Sequence, residues 1–120
     1  MTSPTYKGVV FVIDDDEVVR LSTQDLLEDE GYLVLSARNG SEGLARMHGI
    51  VGPAVAIVDL VMPRIDGWHL IDTMRADANL RRIPIIVVSA RREPVAGADR
   101  IVTKPLKTAE LLRAVRELCR

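Results

Sequence analysis

Five short apolar runs punctuate the chain, at residues 9–13, 32–36, 55–58, 83–88 and 101–103. The clearest of them, Val9 to Ile13 and Val55 to Val58, are apolar at consecutive positions and do not alternate. Strands of that kind are buried on both faces, the condition of a parallel sheet covered by helices. Few other arrangements of a short chain satisfy it.

The segments between the runs read as helices. Val19, Thr23, Leu26 and Leu27 fall at helical spacing within 17–30, and Gly31 stands where a C-terminal cap belongs. Ser41 is the expected N-cap of a helix through Met47. Further helices are expected over 67–76 and 108–119, the last with a stripe of Leu111, Leu112, Val115, Leu118 and Cys119. Strand then helix, repeated, predicts an α/β fold with a doubly wound parallel sheet. At 120 residues it is one domain, 1–120, and 48% hydrophobic content with 3% aromatics describes a core of Val, Leu, Ile and Ala.

Composition excludes several functions. Sixteen basic against 17 acidic residues give a net charge of −1, which recruits neither nucleic acid nor an anionic membrane. No apolar run approaches the ~20 residues of a membrane span. Residues 1–8 are polar, without a signal peptide, and the single Cys119 permits no internal disulfide and is expected as a core thiol. The expected setting is cytoplasmic.

A doubly wound sheet carries its site outside the carboxyl ends of its strands. Those ends hold Asp14 and Asp15, Asp59, Ser89 and Lys104. One acidic residue at the start of the first helix would serve as a cap, stabilising by roughly 0.3–1 kcal/mol. Adjacent carboxylates repel, and capping does not account for three in a row. A hard divalent cation such as Mg²⁺, which takes one or two carboxylates plus water and phosphate oxygens, resolves the repulsion. A carboxylate nucleophile, Mg²⁺, a lysine and a hydroxyl are the parts for phosphoryl transfer to an aspartate.

From residue 9 to 119 the chain resembles the receiver domain of two-component response regulators, the CheY-like family. The resemblance rests on Asp14-Asp15-Asp16-Glu17 with Arg20 beyond, Asn39-Gly40-Ser41-Glu42-Gly43-Leu44, Asp59-Leu60-Val61-Met62-Pro63-Arg64-Ile65-Asp66-Gly67, Ser89-Ala90, and Gly97-Ala98-Asp99 leading to Lys104-Pro105-Leu106. It implies five parallel strands in the flavodoxin-like order 2-1-3-4-5. It implies that Asp59 accepts a phosphoryl group from a sensor histidine kinase or histidine phosphotransfer protein. Asp14, Asp15, Asp59 and the backbone carbonyl of Val61 would hold Mg²⁺. Ser89 would bond to the phosphoryl group and report it, and Lys104 would pair with a phosphoryl oxygen. It further implies a cis Lys104-Pro105 bond, signalling by conformational change to a downstream protein or by self-association, and a phosphoacceptor that does not turn over as an enzyme.

The chain departs from the family in two ways. Ile101 stands where an aromatic residue is usual, three before the lysine. Ser89 and Lys104 lie only 15 residues apart, short by about seven, or roughly two helical turns. The helix between the fourth and fifth strands is therefore expected to be reduced or absent. Pro94 and Gly97 fall inside that stretch, and the uncovered strands would leave an apolar patch for a partner or a second copy. Two other functions stay open. One is a haloacid-dehalogenase-like phosphatase with Asp14 as nucleophile and Ser89 and Lys104 as its later motifs. The other is a degenerate receiver that only binds partners. The strands exclude a histidine phosphotransfer module, and His48 and His69 are expected on helix surfaces.

Overall fold

The computed structural model describes residues 5–60 and 66–119, with the side chain of Asp66 left undescribed. The elements run β1 (Val9–Ile13), α1 (Glu17–Asp29), β2 (Leu33–Ala37), α2 (Gly40–Met47), β3 (Ala54–Asp59), α3 (Asp66–Ala76), β4 (Ile85–Ser89), β5 (Arg100–Thr103) and α4 (Thr108–Leu118). All strand pairs are parallel and the order is β2-β1-β3-β4-β5, the doubly wound sheet expected.

Although its strands are apolar at consecutive positions, the sheet sorts its residues by parity. Phe11, Ile13, Ala56, Val58, Ile85 and Val87 face one way and meet Leu70, Ile71 and Met74 of α3 and Met47 of α2. Val10, Val12, Val55, Ile57, Ile86, Val88 and Val102 face the other way and meet Leu27 of α1 and Leu111, Val115 and Leu118 of α4. Each strand therefore serves two cores, which is why its sequence does not alternate.

Element ends differ from the sequence expectation by a residue or two, each for a local reason. The helix α1 closes in a Schellman motif, with Tyr32 N–H donating to Leu27 O, Gly31 N–H to Glu28 O, and Gly31 at φ +98°. Tyr32 is thereby spent on the cap, and β2 begins at Leu33. Pro84 has no N–H to give a ladder, and Ile83 N–H closes a turn on Leu80 O, so β4 starts at Ile85. The N-cap of α2 is Asn39, not Ser41: the Asn39 side chain accepts from Glu42 N–H at 2.9 Å. Cys119 ends α4, half-buried against the second core, and burial pushes its thiol pKa up. Both histidines are exposed.

No helix joins β4 to β5. Yet the exposed apolar patch expected there does not form. Ile85 and Val87 are fully buried, because Val95 and Ala98 of the connection lie down on the first core beside Ile101. Gly97, at φ +87°, comes so close to α3 that an added Cβ would sit 2.7 Å from Ile71 Cγ2. The Arg75 guanidinium ties the segment down. Its Nε donates to Gly97 O at 2.8 Å, its Nη2 to Asp99 Oδ2 at 2.6 Å, and its Nη1 to Arg81 O and Ile83 O. Asp99 Oδ2 also accepts from Ile85 N–H, at the first residue of β4.

Candidate functional site

The sheet register brings the acidic residues together. Ile13 pairs with Val58, so the next residues, Asp14 and Asp59, emerge side by side at the carboxyl edge. Asp59 pairs with Val88 and Ser89 with Thr103, which places Ser89 and Lys104 along the same edge. One carboxylate oxygen from each of Asp14, Asp15 and Asp59 lies within 4.8 Å of the others. Lys104 Nζ donates to both oxygens of Asp59, at 3.2 and 3.1 Å.

The roles within the acidic run separate. Asp16 is the N-cap of α1, accepting from Val19 N–H. Asp14 Oδ1 accepts from Asp16 N–H at 2.9 Å, and Asp14 O accepts from Arg20 Nη1 at 2.9 Å. Asp14 and Asp59 are 7% and 5% exposed, whereas Asp15 is exposed. Burial first, then the charges of Asp59 and Asp15, hold the Asp14 carboxyl above its ordinary pKa, against the opposing Asp16 amide and Lys104 charge. Three oxygen donors of this charge, buried on one side and open on the other, suit a hard divalent cation such as Mg²⁺.

Behind the acids a cavity of about 350 Å³ runs between α1 and α4, floored by Val12, Ile57, Val88 and Leu111, with Lys104, Pro105 and Leu106 at its mouth. The Lys104-Pro105 bond is cis. Ser89 is at the edge, and its hydroxyl accepts from Arg91 N–H at 3.2 Å. Val61, expected to offer a carbonyl to the metal, lies outside the described residues, as do Met62, Pro63, Arg64 and Ile65.

Residues 10–116 match the response regulator receiver domain family. The chain belongs to that family. Protein PilG of Pseudomonas aeruginosa is 30% identical to this receiver over 114 residues, covering 89% of this chain and 84% of PilG. The transcriptional regulatory protein CseB of Streptomyces coelicolor is 33% identical over 92% of this chain, but this receiver spans only 49% of CseB. Among solved structures, the chemotaxis response regulator CheY4 of Vibrio cholerae superposes with a TM-score of 0.83 at 26% identity, covering 95% of this chain and 99% of that one. The receiver domain of a histidine kinase from Syntrophus aciditrophicus gives 0.80 at 30% identity, over 92% and 89% of the two chains.

Sequence reasoning missed two things about this receiver. Arg20 was a motif match without a task; it holds the Asp14 carbonyl, and its position in the first turn of α1, six residues after Asp14, was the available signal. The Arg75–Asp99 pair joins positions 24 apart in sequence, and no local pattern announces it.

The charge crowding makes a prediction about stability. Asp14→Asn keeps an Oδ1 acceptor for the Asp16 amide and removes one of three mutually repelling charges. In metal-free buffer at pH 7 the variant is expected to melt higher than wild type by about 2–5 °C. The raised Asp14 pKa sets the sign. Its charged form costs stability above the raised value, and that cost is relieved as pH falls through it toward the ordinary 3.8. The difference between variant and wild type should therefore shrink in acid and also on adding Mg²⁺. Melting curves at pH 7 and pH 4 check it; a variant less stable than wild type at pH 7 without metal would contradict the electrostatic account.

Proposed function

We propose that this receiver takes a phosphoryl group onto Asp59 from a phosphohistidine of a sensor kinase or a histidine phosphotransfer protein. The observation that carries the reading is the set of three carboxylates within 4.8 Å, one of them held on both oxygens by Lys104. A carboxylate oxygen of Asp59 would attack phosphorus as the P–N bond to the donor imidazole breaks, leaving an acyl phosphate and a neutral histidine. Asp14, Asp15 and Asp59 would hold Mg²⁺, whose charge offsets that of the phosphoryl oxygens. Lys104 would shift from Asp59 to a phosphoryl oxygen, keeping a positive charge where negative charge accumulates.

The Ser89 hydroxyl would turn from Arg91 N–H to donate to the phosphoryl group. That removes the acceptor from the first residues of the β4–β5 connection, so the change would enter a strap with exposed Arg91, Arg92 and Glu93. Ile101, with neither ring nor hydroxyl, has no hydrogen bond to exchange in this process. Among the described residues no helix is long and apolar enough to cross a membrane, and the proposed partners are a cytoplasmic kinase and a downstream protein.

Acetyl phosphate with and without Mg²⁺ tests the reading. Expected are close to one base-labile phosphoryl group per chain with Mg²⁺, almost none with chelator, and no multiple turnover of a phosphomonoester. Steady release of phosphate from a phosphomonoester would favour the phosphatase with Asp14 as nucleophile. No incorporation in a folded, Mg²⁺-binding protein would favour the degenerate receiver.

A further inference from the structure

Arg20 is 9% exposed, and it lines a groove of about 560 Å³ between α1, the carboxyl end of β2 and α2, on the side of β1 away from β3 and Asp59. Ser36, Ala37 and Ala45 form its small, neutral lining, and its charged members are Arg20, Arg38, Arg46 and Glu42. The lining thus holds three guanidiniums and one carboxylate, and the Glu17 charge also acts on Arg38. Glu42 is fully used: Oε2 accepts from Arg38 Nε at 3.1 Å and Nη2 at 2.8 Å, and Oε1 accepts from Arg38 N–H. Arg46 acts on it through charge, without a hydrogen bond. Arg20 gives Nη1 to the Asp14 carbonyl, and its remaining N–H groups make no hydrogen bond among the described residues.

Arg20 is nearly buried, and its donors beyond Nη1 reach solvent in a groove whose lining holds more guanidiniums than carboxylates. We infer that this groove binds a small, multiply charged phosphate compound, with Arg20 and Arg46 as the contacting cations and Arg38 released from Glu42 as a third. Arginine suits this task because its planar fork pairs with two phosphate oxygens at once. The site is separate from the carboxylate cluster, which would repel the same ligand. Asp14 N–H donates to Ala37 O of the groove lining, and the side-chain link to that cluster is the bond from Arg20 Nη1 to Asp14 O. An anion that draws Arg20 into the groove would strain that bond and shift the strand end carrying Asp14. Occupancy here would therefore be felt at Asp59 without touching it.

The test uses the intact chain, labelled with ¹⁵N, titrated with inorganic pyrophosphate in chelator-treated, metal-free buffer at constant ionic strength. Expected are saturable shifts of the Arg20, Arg38 and Arg46 Nε–H signals and of backbone amides over 36–46, with a smaller shift at Asp14. Arg46→Gln, a substitution at an exposed position, should weaken binding about threefold to fivefold, the effect of an exposed ion pair. Arg113→Gln, on exposed α4 surface, should leave binding unchanged. Shifts reproduced by sodium chloride, shifts confined to Asp59 and Lys104, or equal binding by Arg46→Gln would each overturn the proposal.

Discussion

Asp59→Asn is expected to take up no phosphoryl group from acetyl phosphate, at any Mg²⁺ concentration, while folding normally. A carboxamide oxygen cannot form a stable acyl phosphate, and no second carboxylate is placed to substitute. Asp14 accepts from the Asp16 amide, and Lys104 makes its hydrogen bonds to Asp59, on both carboxylate oxygens. The fold should survive because the substitution removes charge from a crowded cluster, and Lys104 is 38% exposed and stays hydrated. Lys104→Ala makes the complementary test. It leaves the acceptor intact and removes the one cation that contacts it among the described residues. Its rate of uptake should fall by about 10²–10³, the cost of losing a preorganised charge at a developing anion, with the final stoichiometry still near one. Radiolabel incorporation followed over time separates the two. Incorporation surviving in Asp59→Asn would remove Asp59 as the acceptor. A Lys104→Ala variant as fast as wild type would mean that its bond to Asp59 belongs to the resting state alone.

Much of this was legible in the sequence, and for a physical reason. A parallel sheet aligns the ends of its strands on one edge, so an apolar run followed by a polar residue places that residue without any side-chain geometry. Asp14, Asp59, Ser89 and Lys104 were found that way. The missing helix was legible as well, because chain length between two strands is a hard limit. What escaped was decided by tertiary contact. The bond that the Ser89 hydroxyl accepts from Arg91 N–H depends on how the chain turns after β4. The burial of Ile85 and Val87 depends on where ten residues without helical pattern come to rest. Covering the strands by the connection itself was not anticipated, because nothing local in Val95, Gly97 or Ala98 shows that Arg75 will receive them.

That clamp gives the largest expected effect on stability. Arg75 links α3, the turn before β4 and the connection after it through hydrogen bonds to four residues, and its side chain is 28% exposed. Removing it strips the partly buried Ile83 carbonyl and Gly97 O of this donor and leaves Asp99 with only the Ile85 amide. Bonds to charged groups contribute about 1.5–3 kcal/mol each when well shielded, but these share one side chain and partial solvent, so they do not sum. Arg75→Ala is therefore expected to cost about 2–3 kcal/mol and to lower the melting temperature by roughly 10 °C. Arg75→Lys should recover little, since an ammonium cannot reproduce the fork that spans Gly97 and Asp99. Hydrogen exchange should accelerate over 90–99 in both variants. The clamp lies at the amino end of β4, the opposite edge from Asp59, so phosphoryl uptake should persist at temperatures well below melting. Gly97→Ala attacks the same joint from the other side, through a positive φ and a Cβ placed 2.7 Å from Ile71 Cγ2, and should open the same segment. An Arg75→Ala protein that melts within about 1 °C of wild type would show that Val95 and Ala98 hold the connection by apolar contact alone, and that the guanidinium only decorates a segment already in place.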